Sequence, residues 1–264
     1  MEINSNIKII AFDADDTLWV NEPYYRETER AFTRLLTDYL PDLPEDEVSK
    51  LLFETETRNI ELYGYGVKGF VLSMIETALK ITNEKAVQQS HKNAGLEIAD
   101  AKIINQIIEL GKALLHPPMV LLDGVSETLE RLNKKGLKLV LATKGDLLDQ
   151  ERKLKKSGLA KCFHHIEIMS NKNEEDYQNL LKRLEISSEE FLMVGNSIKS
   201  DILPVLSIGA YAIHIPYHTN WAHEMVINGQ QKHERFLEIK SILELFPVIE
   251  HNKNAFFDAL ANKR

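Results

Sequence analysis

Residues 7–17 read IKIIAFDADDT, an apolar run that stops abruptly at a cluster of acids and a threonine. The run 7–12 is short and rich in β-branched and aromatic residues, a composition that predicts a buried β-strand. Similar short runs recur at residues 137–142, 165–169, 191–194 and 211–215. We therefore predict five strands, with the acids following the end of the first.

Stretches with a helical period separate the later strands. They lie at residues 125–135, 147–157, 174–185 and 199–207. Strict alternation of strand and helix is typical of a parallel sheet covered on both faces, because each parallel connection has to cross over the sheet. The sequence thus predicts an α/β protein with a Rossmann-like parallel sheet.

The segment between the first two strands breaks this alternation, since it holds long helical patterns and no convincing strand. Pro41, Pro44 and the YGYG turn at residues 63–66 supply breaks between the helices. The helical pieces are at residues 24–40, 44–63, 68–79, a polar stretch at 86–97, and 100–115. We predict a core formed by residues 1–20 and 115–264, with an inserted all-helical domain at residues 21–114.

The composition excludes several classes of protein. The chain has 264 residues, of which 44% are hydrophobic and 27% charged, as in ordinary globular proteins. Its 40 acidic residues outnumber 32 basic ones, a net charge of −8, and there is no long basic run. We therefore expect neither a nucleic acid nor an anionic membrane as partner. The single cysteine and the lack of a hydrophobic leader or spanning run lead us to expect a cytoplasmic protein.

Asp13 and Asp15 follow the first strand directly. In an open parallel sheet, ligands bind at the carboxyl ends of the strands, so these acids are expected in a cleft. One carboxylate can then act as a nucleophile while the other protonates a leaving group. A loop of solvated acids that caps a helix explains this short motif equally well when it is taken alone.

Two further motifs follow the second and third predicted strands. Thr143, with Lys144 and Gly145 after it, offers a hydroxyl and backbone N–H groups that can hold phosphate oxygens. Lys172 is placed where an ammonium can neutralise the charge of a phosphate and a nucleophile. A simple turn and a surface lysine remain the commoner explanations for each residue alone.

Asn196 and Asp201 follow the fourth strand. Amide and carboxylate oxygens are suitable ligands for Mg²⁺, which retains several waters and so needs few protein ligands. An Asx turn at Asn196 and a helix N-terminus at Asp201 are the structural alternatives. Each structural explanation accounts for one motif alone. Together they would also have to explain why acids, a hydroxyl, an ammonium and an amide, which complement one another chemically, follow four successive strands.

The four motifs together resemble those of the haloacid dehalogenase-like hydrolase superfamily. They read FDADDTLW at residues 12–19, LATKGD at 141–146, SNKNEEDY at 170–177 and MVGNSIKSD at 193–201. The resemblance covers residues 5–20 and 117–216, and the order and strand placement of the motifs make it specific. It also implies that the helical insert is a cap of the C1 type.

The resemblance implies a role for each motif residue. Asp13 would be the nucleophile that forms an aspartyl-phosphate, Asp15 the general acid and then base, Thr143 a phosphate ligand and Lys172 the charge-neutralising lysine. The implied Mg²⁺ ligands are the Asp13 carboxylate, the Asp15 carbonyl and Asp201, with Asn196 binding directly or through water.

Asp15 also favours phosphoryl transfer over dehalogenation, because dehalogenases of this superfamily lack that second acid and use no metal. Two positions depart from the usual pattern. Asp16 stands where glycine is common, and Asn196 stands where an acid is frequent. We expect the motif to accommodate Asp16 and the Mg²⁺ affinity to be lower.

The loop at residues 63–68 is the predicted substrate-selecting element, with Tyr65 and Lys68 as substrate-binding residues. A plain helix–helix turn is equally compatible with its composition. The function expected from the sequence is a Mg²⁺-dependent phosphatase of a small phosphorylated metabolite. A phosphomutase is the nearest alternative, and a non-catalytic binding protein on the same scaffold is a second.

Overall fold

The computed structural model describes residues 7–90, 101–218 and 233–250. The chain divides into two compact units, one formed by Met1–Glu22 and Met119–Arg264 and the other by Pro23–Pro118. The predicted boundaries, after residues 20 and 114, lie two and four residues before the boundaries in the structure, which fall after Glu22 and Pro118. The first unit is α/β and the second is helical.

The first unit is built on a parallel sheet, as the sequence predicted. Its strands are β1 (Ile9–Phe12), β2 (Lys138–Lys144), β3 (His165–Met169), β4 (Phe191–Gly195), β5 (Tyr211–His214) and β6 (Phe236–Glu238). They are ordered β3-β2-β1-β4-β5-β6, and every neighbouring pair is parallel. The strand that carries the acids therefore lies between β2 and β4, which carry the second and fourth motifs.

Alternate residues of β1 enter two separate cores because successive side chains of a strand point to opposite faces. Ile10 and Phe12 pack in one cluster of buried side chains, and Ile9 and Ala11 pack in the other. A strand buried on both faces explains why its sequence is a continuous apolar run rather than an alternating pattern.

The described helices are α1 (Glu22–Tyr39), α2 (Glu45–Tyr63), α3 (Val67–Ser90), α4 (Ala101–Leu114), α5 (Val125–Lys134), α6 (Leu147–Ser157), α7 (Glu174–Leu184), α8 (Leu203–Ser207) and α9 (Leu245–Glu250). Helix α5 packs on one face of the sheet, while α7 and α8 pack on the other. Within the described parts of the chain, no helix has the length and apolarity needed to cross a bilayer.

The second unit has a core of its own. Buried side chains from its helices form it, including Phe32, Val48, Met74 and Ile107. Helix α3 continues to Ser90, so the predicted end near residue 79 was wrong. The added residues, 80–90, contain no glycine or proline, and most are good helix formers. The remainder of the predicted polar stretch, residues 91–97, lies outside the described residues.

Two elements of the core differ from the prediction. The tail contains a sixth strand, β6, which is only three residues long and is fixed by pairing with β5 rather than by its own pattern. In addition, the helix predicted at residues 199–207 begins as a π-helix at Ile198–Ile202 before α8. A π-turn shifts the side-chain period, so helical periodicity does not reveal it.

The one cysteine of the chain, Cys162, is buried in the core on the α5 face of the sheet. Its side chain packs as a small apolar group, as expected of a free buried thiol. Burial raises the pKa of this thiol, and the nearby Lys161 only partly opposes that effect.

Candidate active site

The motif residues of the first unit meet at the carboxyl ends of the central strands. Asp13 follows β1, Thr143 lies near the end of β2, Lys172 follows β3, and Asp201 lies in the π-helix after β4. All four are buried. Burying ionised groups is costly unless they are paired, so their contacts with one another decide what the cluster can do.

Lys172 joins two of the acids. Its Nζ lies 2.5 Å from Asp13 Oδ1 and 2.7 Å from Asp201 Oδ1. Burial alone would lower the pKa of this ammonium, but the two carboxylates outweigh burial and raise it. Lys172 is therefore a charged group that links the predicted nucleophile to the fourth motif.

Asp13 depends on that partner for its ionisation. Burial raises the pKa of its carboxyl to about 7, the Lys172 ammonium acts in the opposite direction, and the nearby Asp201 charge adds to the rise. A second positive charge beside Asp13 would favour the carboxylate form further. The site thus contains an acid whose nucleophilic form needs cationic neighbours.

The second oxygen of Asp13 faces a group of other polar atoms. The Asn196 side-chain atom directed at this point lies 3.2 Å from Asp13 Oδ2, 3.2 Å from the Asp15 carbonyl oxygen and 3.1 Å from Thr17 Oγ1. If that atom is the amide nitrogen, it donates to these oxygens. If it is the amide oxygen, three other oxygens lie 3.1 to 3.2 Å from it, and oxygens at such separations can bind one hard cation together.

This geometry is compatible with a Mg²⁺ site that relies on few carboxylates. Among the described residues, no three side chains of His, Cys, Asp or Glu are grouped to hold a metal. The converging set instead comprises the Asp13 carboxylate, the Asp15 carbonyl and the Asn196 side chain. In one orientation, the Asn196 amide nitrogen donates hydrogen bonds to the surrounding oxygens. In the other orientation, the amide oxygen is available to a cation.

Asp201, the other predicted metal ligand, has both oxygens engaged. Oδ1 accepts from Lys172, and Oδ2 accepts from the backbone N–H of Ser197 at 3.0 Å. Gly195 makes this placement possible, since a Cβ built at that glycine would lie 2.2 Å from Asp201 Oδ2. Asp201 belongs to the cluster through Lys172, and its assignment as a metal ligand stays a prediction.

Asp15 is held by several donors. Its carboxylate accepts from Trp19 Nε1 at 2.7 Å, from Gln150 Nε2 at 2.9 Å and from Lys153 Nζ at 3.0 and 3.1 Å. Trp19 itself is fully buried. The predicted acid–base residue is thus neither a solvated loop acid nor a helix cap, and its orientation is fixed by α6.

Thr143 and Lys144 lie at the same edge of the sheet. Thr143 is buried, and its hydroxyl lies 3.5 Å from the Lys144 carbonyl. The Lys144 ammonium donates to Ser200 Oγ at 2.8 Å, in the π-helix that carries Asp201. Their roles as phosphate-binding residues stay predictions. Tyr65 and Lys68 lie in the second unit, where α2 ends and α3 begins, and their role in substrate binding also stays a prediction.

Asp16 adopts the left-handed conformation that the motif usually assigns to glycine, with φ of 60°. Its carboxylate accepts from the backbone N–H groups of Asn21 and Glu22 at 2.9 Å each. Aspartate tolerates this conformation better than most residues, and here it also satisfies N–H groups at the start of α1. Burial raises the pKa of Asp16 to about 7, although both backbone contacts oppose the rise.

Several residues of the site were not predicted from the sequence. Thr17 donates to Asp13, and Gln150 and Lys153 contact Asp15. His214 Nε2 lies 3.0 Å from the Asn196 carbonyl, with its Nδ1 2.9 Å from Glu238 on β6. Thr17 stands inside the first motif and was within reach of sequence reasoning. The others come from positions whose contacts depend on the fold.

A sequence model of a family described as haloacid dehalogenase-like hydrolases matches residues 7–209. The chain belongs to this hydrolase family. The match includes all four motifs, so the family assignment rests on the segments that build the buried cluster. No match was found among curated protein sequences.

One solved structure supports membership of the hydrolase family, and others share the fold. A haloacid dehalogenase-like family hydrolase from Xanthomonas campestris is 33% identical, with 98% of this chain and 95% of that chain covered and a TM-score of 0.74. A phosphatase of the family from Thermococcus onnurineus is 19% identical, covers 92% and 98%, and has a TM-score of 0.58. A proposed β-phosphoglucomutase from Thermotoga maritima is 20% identical, covers 93% and 99%, and has a TM-score of 0.61.

Dehalogenase structures are also among the matches of this hydrolase. At 15 to 20% identity they share its fold, as do the phosphatase and the mutase. The family and the fold are therefore established together, while the reaction has to be argued from the site.

Proposed function

We propose that this hydrolase is a Mg²⁺-dependent phosphatase of a small phosphorylated metabolite, acting through an aspartyl-phosphate at Asp13. The observation that carries the proposal is the environment of Asp13. One of its oxygens pairs with the buried Lys172 ammonium, and the other faces the Asp15 carbonyl and the Asn196 side chain. Phosphoryl transfer to a carboxylate needs a cationic neighbour such as Lys172 because the two reacting groups repel each other.

In the first half of the proposed reaction, one Asp13 oxygen forms a bond to phosphorus while the bond to the leaving oxygen breaks. Asp15 gives its proton to that leaving oxygen, so that an alcohol departs rather than an alkoxide. Lys172 remains charged and offsets the negative charge that builds up around the phosphoryl group. Thr143 and Lys144, at the end of β2, would hold the non-reacting phosphate oxygens.

In the second half, a water molecule attacks the phosphorus of the aspartyl-phosphate and gives a proton to Asp15. Inorganic phosphate leaves, and the Asp13 carboxylate and the protonated Asp15 are both regenerated. Asp15 thus serves as acid and then as base. Its distance along the chain from Asp13, two residues, keeps the two carboxyl groups at the same strand end.

The chain's own oxygens fit a bound Mg²⁺. Asp13, the Asp15 carbonyl and Asn196 would hold it, and Asp201 would support the site through Lys172 or join as a fourth ligand. The metal would supply positive charge next to the nucleophile and the phosphate. A hydrolase of this family from Bacillus subtilis, 18% identical, was solved bound to magnesium, which supports the proposal for this chain.

A phosphomutase is the alternative favoured by the resemblance to the Thermotoga maritima protein. It would use the same Asp13 chemistry but return the phosphoryl group to a second sugar hydroxyl. Release of inorganic phosphate distinguishes the two reactions. A non-catalytic binding protein is disfavoured because Asp13, Asp15, Lys172 and Asp201 are all present and the first, third and fourth are in contact.

The deciding experiment is a screen of phosphomonoesters for phosphate release, with Mg²⁺ and with a chelator. Asp13→Asn keeps the size of the side chain but cannot form the acyl-phosphate, so turnover and any trapped phosphoenzyme should be lost. Activity of Asp13→Asn within tenfold of the wild type would contradict the proposal. Metal-independent halide release from a 2-haloacid would assign the chain to the dehalogenases instead.

A further inference from the structure

Helix α6 buries three polar side chains in its first two turns and exposes the two leucines at its start, which is the reverse of the usual arrangement, although Leu154 packs in the core. Leu147 and Leu148 are 60% and 56% exposed, whereas Asp149, Gln150 and Lys153 are at least nine-tenths buried. Ion pairs and amides in such positions cost free energy unless they are well partnered. Since a pattern of this kind breaks the local rule for helices, it points to a functional constraint on α6.

The buried face of α6 ends at Asp15. Lys153 Nζ contacts both carboxylate oxygens, at 3.0 and 3.1 Å, and Gln150 Nε2 contacts Oδ2 at 2.9 Å. With the Trp19 indole on Oδ1, each oxygen of the carboxylate accepts from two donors. Four such contacts leave the side chain a single orientation.

The contact of Gln150 with Asp15 leaves one polar atom of the Gln150 side chain unsatisfied. Its Nε2 donates to Asp15 and to the Lys144 carbonyl at 3.1 Å, while its Oε1 is buried without a hydrogen-bond partner among the described residues. Gly145 leaves the space for the amide, since a Cβ built there would lie 3.1 Å from Gln150 Nε2. An orphaned acceptor is normally selected against, so the contact with Asp15 must offset it.

Lys153 is itself held in place by other groups. Its ammonium also lies 2.7 Å from Asn21 Oδ1 and 3.5 Å from Asp149 Oδ2. Asp146 caps the start of α6 by accepting from the Asp149 N–H, which fixes the first turn of the helix. Three of the four contacts of Asp15 are therefore made by a helix that is capped at its start, and the fourth is made by Trp19.

We propose that Lys153 and Gln150 are positioning residues that set the orientation of the Asp15 carboxyl group for proton transfer to the leaving oxygen. This inference rests on the proposed phosphatase function. Its consequence is a dependence on the leaving group. A misoriented Asp15 should slow the release of an alkoxide, which needs a proton, and hardly affect a nitrophenolate, which leaves as a stable anion.

The test compares Lys153→Met, Gln150→Met and the control Lys156→Met, which changes an exposed lysine of the same helix. We expect Lys153→Met to lower kcat/KM for an alkyl phosphomonoester by about 100-fold and kcat/KM for p-nitrophenyl phosphate by less than about threefold. The ratio kcat/KM is the quantity to compare, because hydrolysis of the aspartyl-phosphate, in which Asp15 is the base for both substrates, does not enter it. Gln150→Met should give a smaller loss with the same selectivity, and Lys156→Met should match the wild type.

A second readout does not depend on activity. The chain has two tryptophans, so the indole N–H of Trp19 can be assigned in a ¹⁵N-correlation spectrum by comparison with Trp221→Phe. Its resonance should move in Lys153→Met and Gln150→Met, because its acceptor is Asp15, and should stay in place in Lys156→Met.

Equal losses of kcat/KM on both phosphate esters, or an unmoved Trp19 resonance in the folded variants, would overturn the positioning role. If Lys153→Met fails to fold, the same criteria apply to Gln150→Met, which removes no charge. The alkyl ester is chosen from the phosphomonoesters that the wild type hydrolyses in the screen. If the screen finds none, the phosphatase proposal fails, and the indole resonances still decide whether α6 orients Asp15.

Discussion

Asp16 shows how one side chain can replace the conformational freedom of glycine. Its φ of 60° would be strained for most residues, yet its carboxylate gains two backbone donors, Asn21 and Glu22. These two hydrogen bonds place the Asp16 carboxyl group in a buried position, and burial raises its pKa to about 7. Aspartate in place of the usual glycine therefore stabilises the start of α1 through hydrogen bonds, and it adds a carboxyl group with a raised pKa.

This titration predicts a pH-dependent stability. Below pH 4, Asp16 is protonated in both the folded and the unfolded chain. Between about pH 4 and 7 the unfolded chain releases the proton first, so the free energy of unfolding should fall by up to about 1.4 kcal/mol per pH unit, and then level off above pH 7.

Asp16→Asn removes the titration and keeps an acceptor oxygen in a residue that tolerates the left-handed conformation. Urea unfolding of both proteins with a chelator, from pH 4 to 8, measures the effect. The stability of the wild type relative to Asp16→Asn should decline as the pH rises toward 7. Parallel curves would show that Asp16 has the same ionisation in the folded and the unfolded chain, since groups that do not interact with Asp16 contribute equally to both proteins.

The motif residues could be predicted individually because each stands at or shortly after the carboxyl end of a predicted strand. Their contacts could not. Lys172 was predicted as a neutralising charge, but its bond to Asp201 depends on the π-helix that turns Asp201 toward it. Lys153 was hidden for a related reason, since a charged residue in the middle of a helix is ordinarily exposed.

At the level of elements, strands buried on both faces were predictable and short edge elements were not. Strands β1 and β4 are fully buried, and their continuous apolar runs leave little ambiguity. Strand β6 has three residues and exists because β5 offers an edge to pair with. It carries Glu238, which contacts His214 behind Asn196, so the missed strand supports the site.

The junction of β4 and the π-helix should not tolerate a side chain at Gly195. A methyl group there would collide with Asp201 and displace it from Lys172 and the Ser197 N–H. We expect Gly195→Ala to destabilise the protein by about 1 to 3 kcal/mol and to lower the activity strongly.

Gly158→Ala is the matched control. Gly158 has φ of 70° but nothing within 4 Å of a built Cβ, so this variant should lose about 1 kcal/mol through backbone strain and keep its activity. Chemical denaturation and phosphate release measure both effects. Normal activity of Gly195→Ala would show that the Asp201 position is not needed for turnover.

For the molecule as a whole, a bound metal should appear as added stability. A ligand that binds only the folded state stabilises it by about 2.7 kcal/mol at 100 times its dissociation constant, so Mg²⁺ should raise Tm. Asn196→Asp should increase the shift at a given Mg²⁺ concentration, because it adds a full charge beside the cation.

Asn173→Asp adds the same charge at an exposed helix cap and serves as the control. Thermal unfolding over a Mg²⁺ titration compares the three proteins. Superimposable titrations for Asn196→Asp and the wild type would place Asn196 outside the metal site, and the absence of any Mg²⁺ effect would count against the metal itself.

The burial of Cys162 has a practical consequence. The chain has no other thiol, and this one is shielded and hard to ionise, so it should react slowly with maleimides and methanethiosulfonates. Cysteines introduced at Lys112 in the second unit and Glu127 in the first, whose side chains are 64% and 66% exposed, would then take up probes selectively. A pair of spin labels at these positions would measure the distance between the two units, with and without a phosphate analogue, in a protein that needs no prior removal of native cysteines.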